Sequence, residues 1–173
     1  MQEPELKRNV YLVNWTPDWR SSFEVERDLL KTILSSLCIE VHHIGSTAVK
    51  GIKAKPIVDI LVVVSSHKAL DRKTTRLIEL GYEVKGENGI KDRRYFQKNV
   101  DGKRAFHIHA FEEEDSNIAS HLKFRDTLQK FPEIAGKYEQ LKMELAEKYK
   151  FDKPAYTEGK SSFIQQIIKD SNC

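Results

Sequence analysis

The run Ile57-Val-Asp-Ile-Leu-Val-Val-Val64 is the stretch that most limits what this chain can become. Its β-branched and apolar residues read as a strand. Asp59, set inside that strand, is costly to bury without a cation, a hydrogen-bond donor or a pocket. A second β-rich run, Val41 to Ile44, lies upstream, and the segment between them holds Gly45, Lys50, Gly51, Lys53, Lys55 and Pro56. This reads as a strand-loop-strand or strand-turn-helix-strand unit whose loop carries function.

The rest of the chain alternates helical and strand patterns. Thr16-Pro17-Asp18 opens a helix with Thr16 as N-cap, and apolar residues at Trp19, Phe23, Leu30, Ile33, Leu34 and Leu37 carry it to about Leu37. Trp15 and Trp19 at its start are expected in the core rather than as a stacking platform. Ser65-Ser66 caps a further helix with Ala69, Leu70, Leu77, Ile78 and Leu80 facing inward, and Gly81 ends it. A strand at Tyr82 to Val84 follows. Arg94 to Lys98 and Arg104 to Phe111 then form a hairpin around Asp101-Gly102. Beyond Ser116 come two helices, the second starting at Pro132 with an apolar stripe of Ile134, Tyr138, Leu141, Leu145 and Tyr149. A last helix carries Phe163, Ile164, Ile167 and Ile168, reached through a loop from Pro154 to Ser162. The fold class is α+β, a mixed sheet of four or five strands flanked by helices, in a single domain over 1–173.

With 39% hydrophobic residues in 173, the chain can bury one core. Met1 to Arg8 lacks the apolar segment of a signal peptide, and no apolar run is long enough to span a bilayer, so a cytoplasmic protein with no membrane partner is expected. Cys38 and Cys173 form neither a disulfide framework nor a metal-type pair. A net charge of +3 with 32% charged residues is too mild to point to nucleic acid. The loop lysines and a second group, Lys91, Arg93, Arg94, Lys98, Lys103 and Arg104, would form one positive surface for an anionic small ligand if the hairpin lies beside the loop. Ordinary solvated charges at strand ends are the competing reading.

The block His43-Ile-Gly-Ser-Thr-Ala-Val49, followed by Gly51-Ile52 and Ala54-Lys-Pro-Ile-Val-Asp-Ile60, resembles the signature of the GrpB-like family of the nucleotidyltransferase-fold superfamily. Trp15-x-Pro-x-Trp19, Leu80-Gly-Tyr82, Phe106-His-Ile-His109, His121-Leu-x-Phe-Arg-Asp126 and Gly159-Lys-Ser161 fit the same family in order. Lys50 departs from its pattern, where proline precedes the glycine. The resemblance implies a nucleotidyltransferase-like core with additional C-terminal helices, and a nucleoside triphosphate or other phosphorylated small molecule as ligand. It also implies a Gly45-Ser46 turn whose amides, with that of Thr47, approach phosphate. Lys55 and Lys160 would add cations, and Arg94 is expected across the pocket from Ser46, Lys55 and Asp59.

The superfamily's chemistry uses a divalent metal held by carboxylates at i and i+2 on one strand, plus a third from a neighbour. Asp59 supplies the first, but Leu61 stands at the second place, and the hairpin strand offers His107 and His109. These two histidines point together away from Phe106, Ile108 and Ala110, so Asp59, His107 and His109 form a candidate site for magnesium, manganese or zinc, or for acid-base catalysis, with His43 as an optional fourth member. Three functions stay open: nucleotidyl transfer, binding without catalysis, and a metal-dependent reaction of another class. Two motifs are set aside. Gly159-Lys160-Ser161 lacks the strand and the first glycine of a P-loop, and Glu112 to Asp115 reads as a helix lead-in.

Overall fold

A computed structural model describes residues 9–170. Met1 to Arg8 and Cys173, on which the readings of the leader and the terminal thiol fall, lie outside the described residues. Helix α1 (Asp18–Leu34) precedes strand β1 (Cys38–Ile44), and strand β2 (Val58–Val64) follows the loop. Helices α2 (His67–Arg72) and α3 (Thr74–Glu79) lead to strands β3 (Tyr82–Val84), β4 (Arg94–Val100) and β5 (Lys103–Glu112). Four helices complete the chain: α4 (Ser116–Lys130), α5 (Pro132–Lys148), α6 (Lys153–Gly159) and α7 (Ser161–Asp170).

The strands form one sheet in the order β1-β2-β5-β4-β3. Only β2 and β5 run parallel; the other neighbours are antiparallel, so the sheet is mixed, as the sequence implied. The hairpin turn is the one its sequence announces, because Asp101 and Gly102 both adopt positive φ, at 51° and 75°. That is the backbone a two-residue turn needs to follow the twist of its strands.

One face of the sheet packs Ile60, Val62, Phe96, Ile108 and Ala110 against Trp19, Phe23, Leu30 and Leu34 of α1 and Leu70 and Leu77 of α2 and α3. Within this core Glu26 is 4% exposed, and its Oε1 accepts from the Tyr82 hydroxyl at 2.7 Å and the Lys98 ammonium at 2.8 Å. On the other face Ile44, Leu61 and Phe111 meet Ile118 and Leu122 of α4. A third cluster joins Val49 and Ile52 of the loop to Phe124, Leu128, Ala135, Tyr138 and Ile167, which ties the C-terminal helices to the β1–β2 connection.

Local differences from the sequence reading have physical causes. The helix expected to reach Leu37 ends at Leu34 and tightens into a 3-10 turn over Ser35–Leu37. The helix after Ser66 divides at Lys73, which turns Ile78 outward to 54% exposure. The loop expected from Pro154 to Ser162 is largely α6. Its start is capped by Asp152, which accepts from the Ala155 amide at 3.1 Å, with Pro154 in the first turn where no amide is needed. Tyr156, 1% exposed, anchors it.

Glu26 ties α1 to β3 and β4 across the core, so removing it leaves Lys98 and Tyr82 without their acceptor. Glu26→Ala should cost about 3 kcal/mol of folding stability, the scale for breaking a buried pair from one side. Urea unfolding of the two proteins measures it, and a difference within about 0.5 kcal/mol, typical of surface changes, would show the network to be incidental.

Candidate functional site

Strand register sets out the site. Residues directly opposite one another in neighbouring strands share a face. Asp59 is paired with Ile44 on one side and His107 on the other, and His107 in turn with Gln97. The next row is Leu61, His109 and Tyr95. Asp59, His107, His109, Gln97 and Tyr95 therefore share the floor of a cavity of about 780 Å³. Its walls are the Gly45–Thr47 turn, Lys55, Asn88 to Ile90, Arg93, and Tyr138, Lys142, Lys153, Tyr156, Glu158 and Lys160 from the C-terminal helices.

The Asp59 carboxylate is the hub. Its Oδ1 lies 3.0 Å from His109 Nε2 and 3.4 Å from His107 Nδ1. Burial works against its charge, but contacts with His107 and His109 outweigh this and hold its pKa well below the usual carboxylate value. Arg93 fixes the tautomer of His109. Its NH1 group lies 3.3 Å from His109 Nδ1, and a guanidinium can only donate, so Nδ1 accepts and Nε2 carries the proton given to Asp59. His107 is 8% exposed; its buried Nε2 atom has no hydrogen-bond partner. Burial lowers the His107 pKa, against the pull of Asp59.

Gly45 makes the close approach of the turn possible. Its φ is 72°, and a Cβ there would sit 2.8 Å from Asp59 Oδ2. Ser46 lines the cavity beside it and hydrogen-bonds Tyr138. Thr47 also lines the cavity, but its hydroxyl lies 2.8 Å from His43 Nε2 and its carbonyl accepts from the Trp15 indole at 3.3 Å.

The cations gather on the opposite wall. Lys55 and Lys160 both stand over the Tyr156 ring, with ammonium groups 5.4 and 4.5 Å from its centroid. Lys142, only 2% exposed, donates to the Lys53 carbonyl and lies 5.0 Å from the Tyr138 ring centroid. Burial, then repulsion from Lys55, pushes Lys160 from 10.5 down to about 7. Burial likewise lowers Lys142 to about 8, partly offset by Glu139. Five lining side chains are cationic, Lys55, Arg93, Lys142, Lys153 and Lys160, against the carboxylates of Asp59 and Glu158.

Two expected members of the site are elsewhere. Arg94 is paired with Ala110 on the opposite face, where its Nε donates to Asp71 of α2 at 2.9 Å. Arg93, one residue earlier, takes the place expected for it. His43 is paired with Ile60, so it points toward α1 and stacks on Phe23 with ring centroids 4.9 Å apart. Burial lowers its pKa to about 4. Asp59, His107, His109, Gly45, Ser46, Thr47, Lys55 and Lys160 do come together. Sequence reading missed Lys142 and Lys153, and the tyrosines Tyr95, Tyr138 and Tyr156. Lys142 follows Tyr138 by four residues on the buried stripe of α5, a position where a lysine is out of place unless something holds it.

The residues do not fit the divalent metal that the sequence resemblance implied. Leu61, at the place of the second carboxylate, is 0% exposed in the apolar cluster under α4. Both ring nitrogens of His109 are committed, one to Arg93 and one to Asp59. Among the described residues no group of three or more His, Cys, Asp or Glu is disposed to hold a metal ion.

Lys160 gives the cavity a pH signature. Between about 7 and 10.5 the folded chain holds fewer protons at this group than the unfolded one, so its contribution to stability improves as pH rises across that window. Lys160→Met should therefore melt above the wild type near neutral pH, by a margin that closes toward pH 10.5. Differential scanning fluorimetry across the window reads the margin; a variant that melts lower throughout would remove the charge strain assigned to Lys160.

Residues 9–170 match the family described as GrpB protein. The chain is 39% identical over 159 residues to the UPF0157 protein YqkA of Bacillus subtilis, spanning 92% of this chain and 46% of YqkA. It is 36% identical over 168 residues to the glutamate-rich protein GrpB of Alkalihalophilus pseudofirmus, spanning 95% of this chain and 97% of that one. The crystal structure of GrpB from Enterococcus faecalis matches with a TM-score of 0.87 at 37% identity, over 92% of this chain and 96% of that one. Terminal uridylyl transferase 4 from Trypanosoma brucei with bound dUTP matches with a TM-score of 0.55 at 14% identity, over 90% of this chain and 53% of that one, a likeness of fold alone. Its sheet order, its helices and a match running across all but the ends of the sequence make this chain a member of the GrpB family, built on a nucleotidyltransferase-like fold.

Proposed function

We propose that this chain binds a nucleotide or another phosphorylated small molecule in the cavity over Asp59. The observation that carries the reading is the excess of cations on the lining: five against two carboxylates, around a volume within the range of about 300–1,000 Å³ common for small-molecule sites. Burial, with some repulsion from Lys55, disfavours the charged forms of Lys160 and Lys142. An anion relieves that cost on binding. Tyr95, Tyr138 and Tyr156 supply apolar faces among the charges for the rest of the ligand.

The reading is binding rather than nucleotidyl transfer, because the paired carboxylates that transfer uses are reduced to Asp59. A second reading rests on His107. With Nδ1 turned to Asp59, its unpartnered Nε2 is in the state a general base needs to take a proton from a ligand hydroxyl. Product formation that vanishes in His107→Ala, with ligand binding intact, would establish it.

A thermal-shift screen of the four nucleoside triphosphates and a set of sugar and cofactor phosphates tests the main reading. A ligand at about 100 times its Kd adds about 2.7 kcal/mol, which for a chain of this size raises the midpoint by roughly 5–10 °C. Lys55→Ala should weaken the best ligand by about tenfold, the loss of one charge-assisted contact. No shift with any phosphorylated compound at millimolar concentration would end the proposal.

A further inference from the structure

We infer that the cavity takes a di- or triphosphate group as the free anion, its charge met by Lys55 and lysines of the C-terminal helices rather than by a divalent cation. This rests on the reading of the cavity as a phosphate-ester site and adds the form in which the phosphate is held.

The acidic side of the cavity argues first. A metal bridging a polyphosphate to the protein needs carboxylates that are free to bind it. Asp59 Oδ1 is shared between two imidazoles, and a metal there would have to displace the His109 bond, which Arg93 holds from the far side. Leu61 is sealed under α4 with Ile44 and Phe111, and His107 lies across from Asp59 in the register. Glu158 is the only other carboxylate on the lining among the described residues, and it belongs to the wall with the lysines.

The basic side supplies what the metal would otherwise provide. Lys55 and Lys160 both stand over the Tyr156 ring, Lys153 lies on α6 with that tyrosine, and Lys142 lies on α5. With Lys55, Arg93, Lys142, Lys153 and Lys160 all protonated, the state that a bound polyanion favours, five cations against two carboxylates leave these side chains three charges positive. A nucleoside di- or triphosphate carries roughly three to four negative charges near neutral pH, since a terminal phosphate loses its second proton around pH 6. Complexing it with magnesium removes two of those charges and spoils the match. Five lysine and arginine groups would also repel an approaching divalent cation.

Titration calorimetry on the wild-type chain tests this with inorganic triphosphate, pyrophosphate and monophosphate, each in EDTA and in excess magnesium, at ionic strength held constant with KCl. The expected result is binding in EDTA, tightest for triphosphate or pyrophosphate, and weakened by about tenfold or more when magnesium is in excess. Lys160→Met should weaken triphosphate by a similar factor while its circular dichroism stays that of the wild type. Binding that requires magnesium, or is tightened by it, would overturn the inference and leave the phosphate site standing. So would monophosphate binding as tightly as triphosphate. If no phosphate binds in either buffer, while nucleotides also fail in the thermal screen, the proposed function falls and this inference with it.

Discussion

A single carboxylate caught between two imidazoles organises this molecule. The parallel pairing of β2 with β5 puts Asp59 opposite His107 and Leu61 opposite His109. Parallel strands need a long crossover, and here it contains α2, α3 and the β3–β4 pair. The crossover therefore delivers Arg93 and Tyr95 to the same face as the histidines of β5, the strand it leads into. Arg93 to His109 to Asp59 is then a directed chain of hydrogen bonds, each donor fixed by the one before it. Asp59 is held charged but already partnered by the two histidines, so its carboxylate is spent on the floor of the cavity.

The two faces of the sheet show how polar groups can be buried with opposite outcomes. Glu26, Tyr82 and Lys98 form a closed set in which the carboxylate meets a hydroxyl and an ammonium within 2.8 Å. Nothing is left over, and the set serves the fold. Lys55 and Lys160 instead share an aromatic ring, which gives a cation only part of what water or a carboxylate would. Incomplete compensation of this kind costs stability, and on the proposed reading a bound anion would restore it.

Much of this was legible where the chemistry depends on local pattern. Asp59 in an apolar strand, and two histidines alternating with Phe106, Ile108 and Ala110, stood out by strand periodicity, and the family resemblance set them on one site, three of the five residues of its floor. The same periodicity failed by one residue at Arg94. Tyr95, Phe96 and Gln97 are all buried, so β4 offers no polar and apolar alternation from which to read its phase. His43 was misplaced for the same reason: its neighbours in β1 did not say which side faced Asp59, and the register did. Lys142 and Lys153 were out of reach because a lysine on a helix normally marks the solvent side. Only the packing of α5 and α6 over the loop turns them inward.

The division of the cavity along the chain has a bearing on how the protein is made. Asp59, the Gly45 turn, Arg93 and both histidines precede residue 110, whereas Tyr138, Lys142, Lys153, Tyr156 and Lys160 belong to the last third of the chain. During synthesis the sheet can pair while these helices are still inside the ribosome, at a pace of about 5–20 residues per second. A nascent chain at that stage carries the acidic centre with only Lys55 and Arg93 of the five lining cations. On the proposed reading, anion capture would wait until the final helices have docked, and ligand retention would report a completed fold.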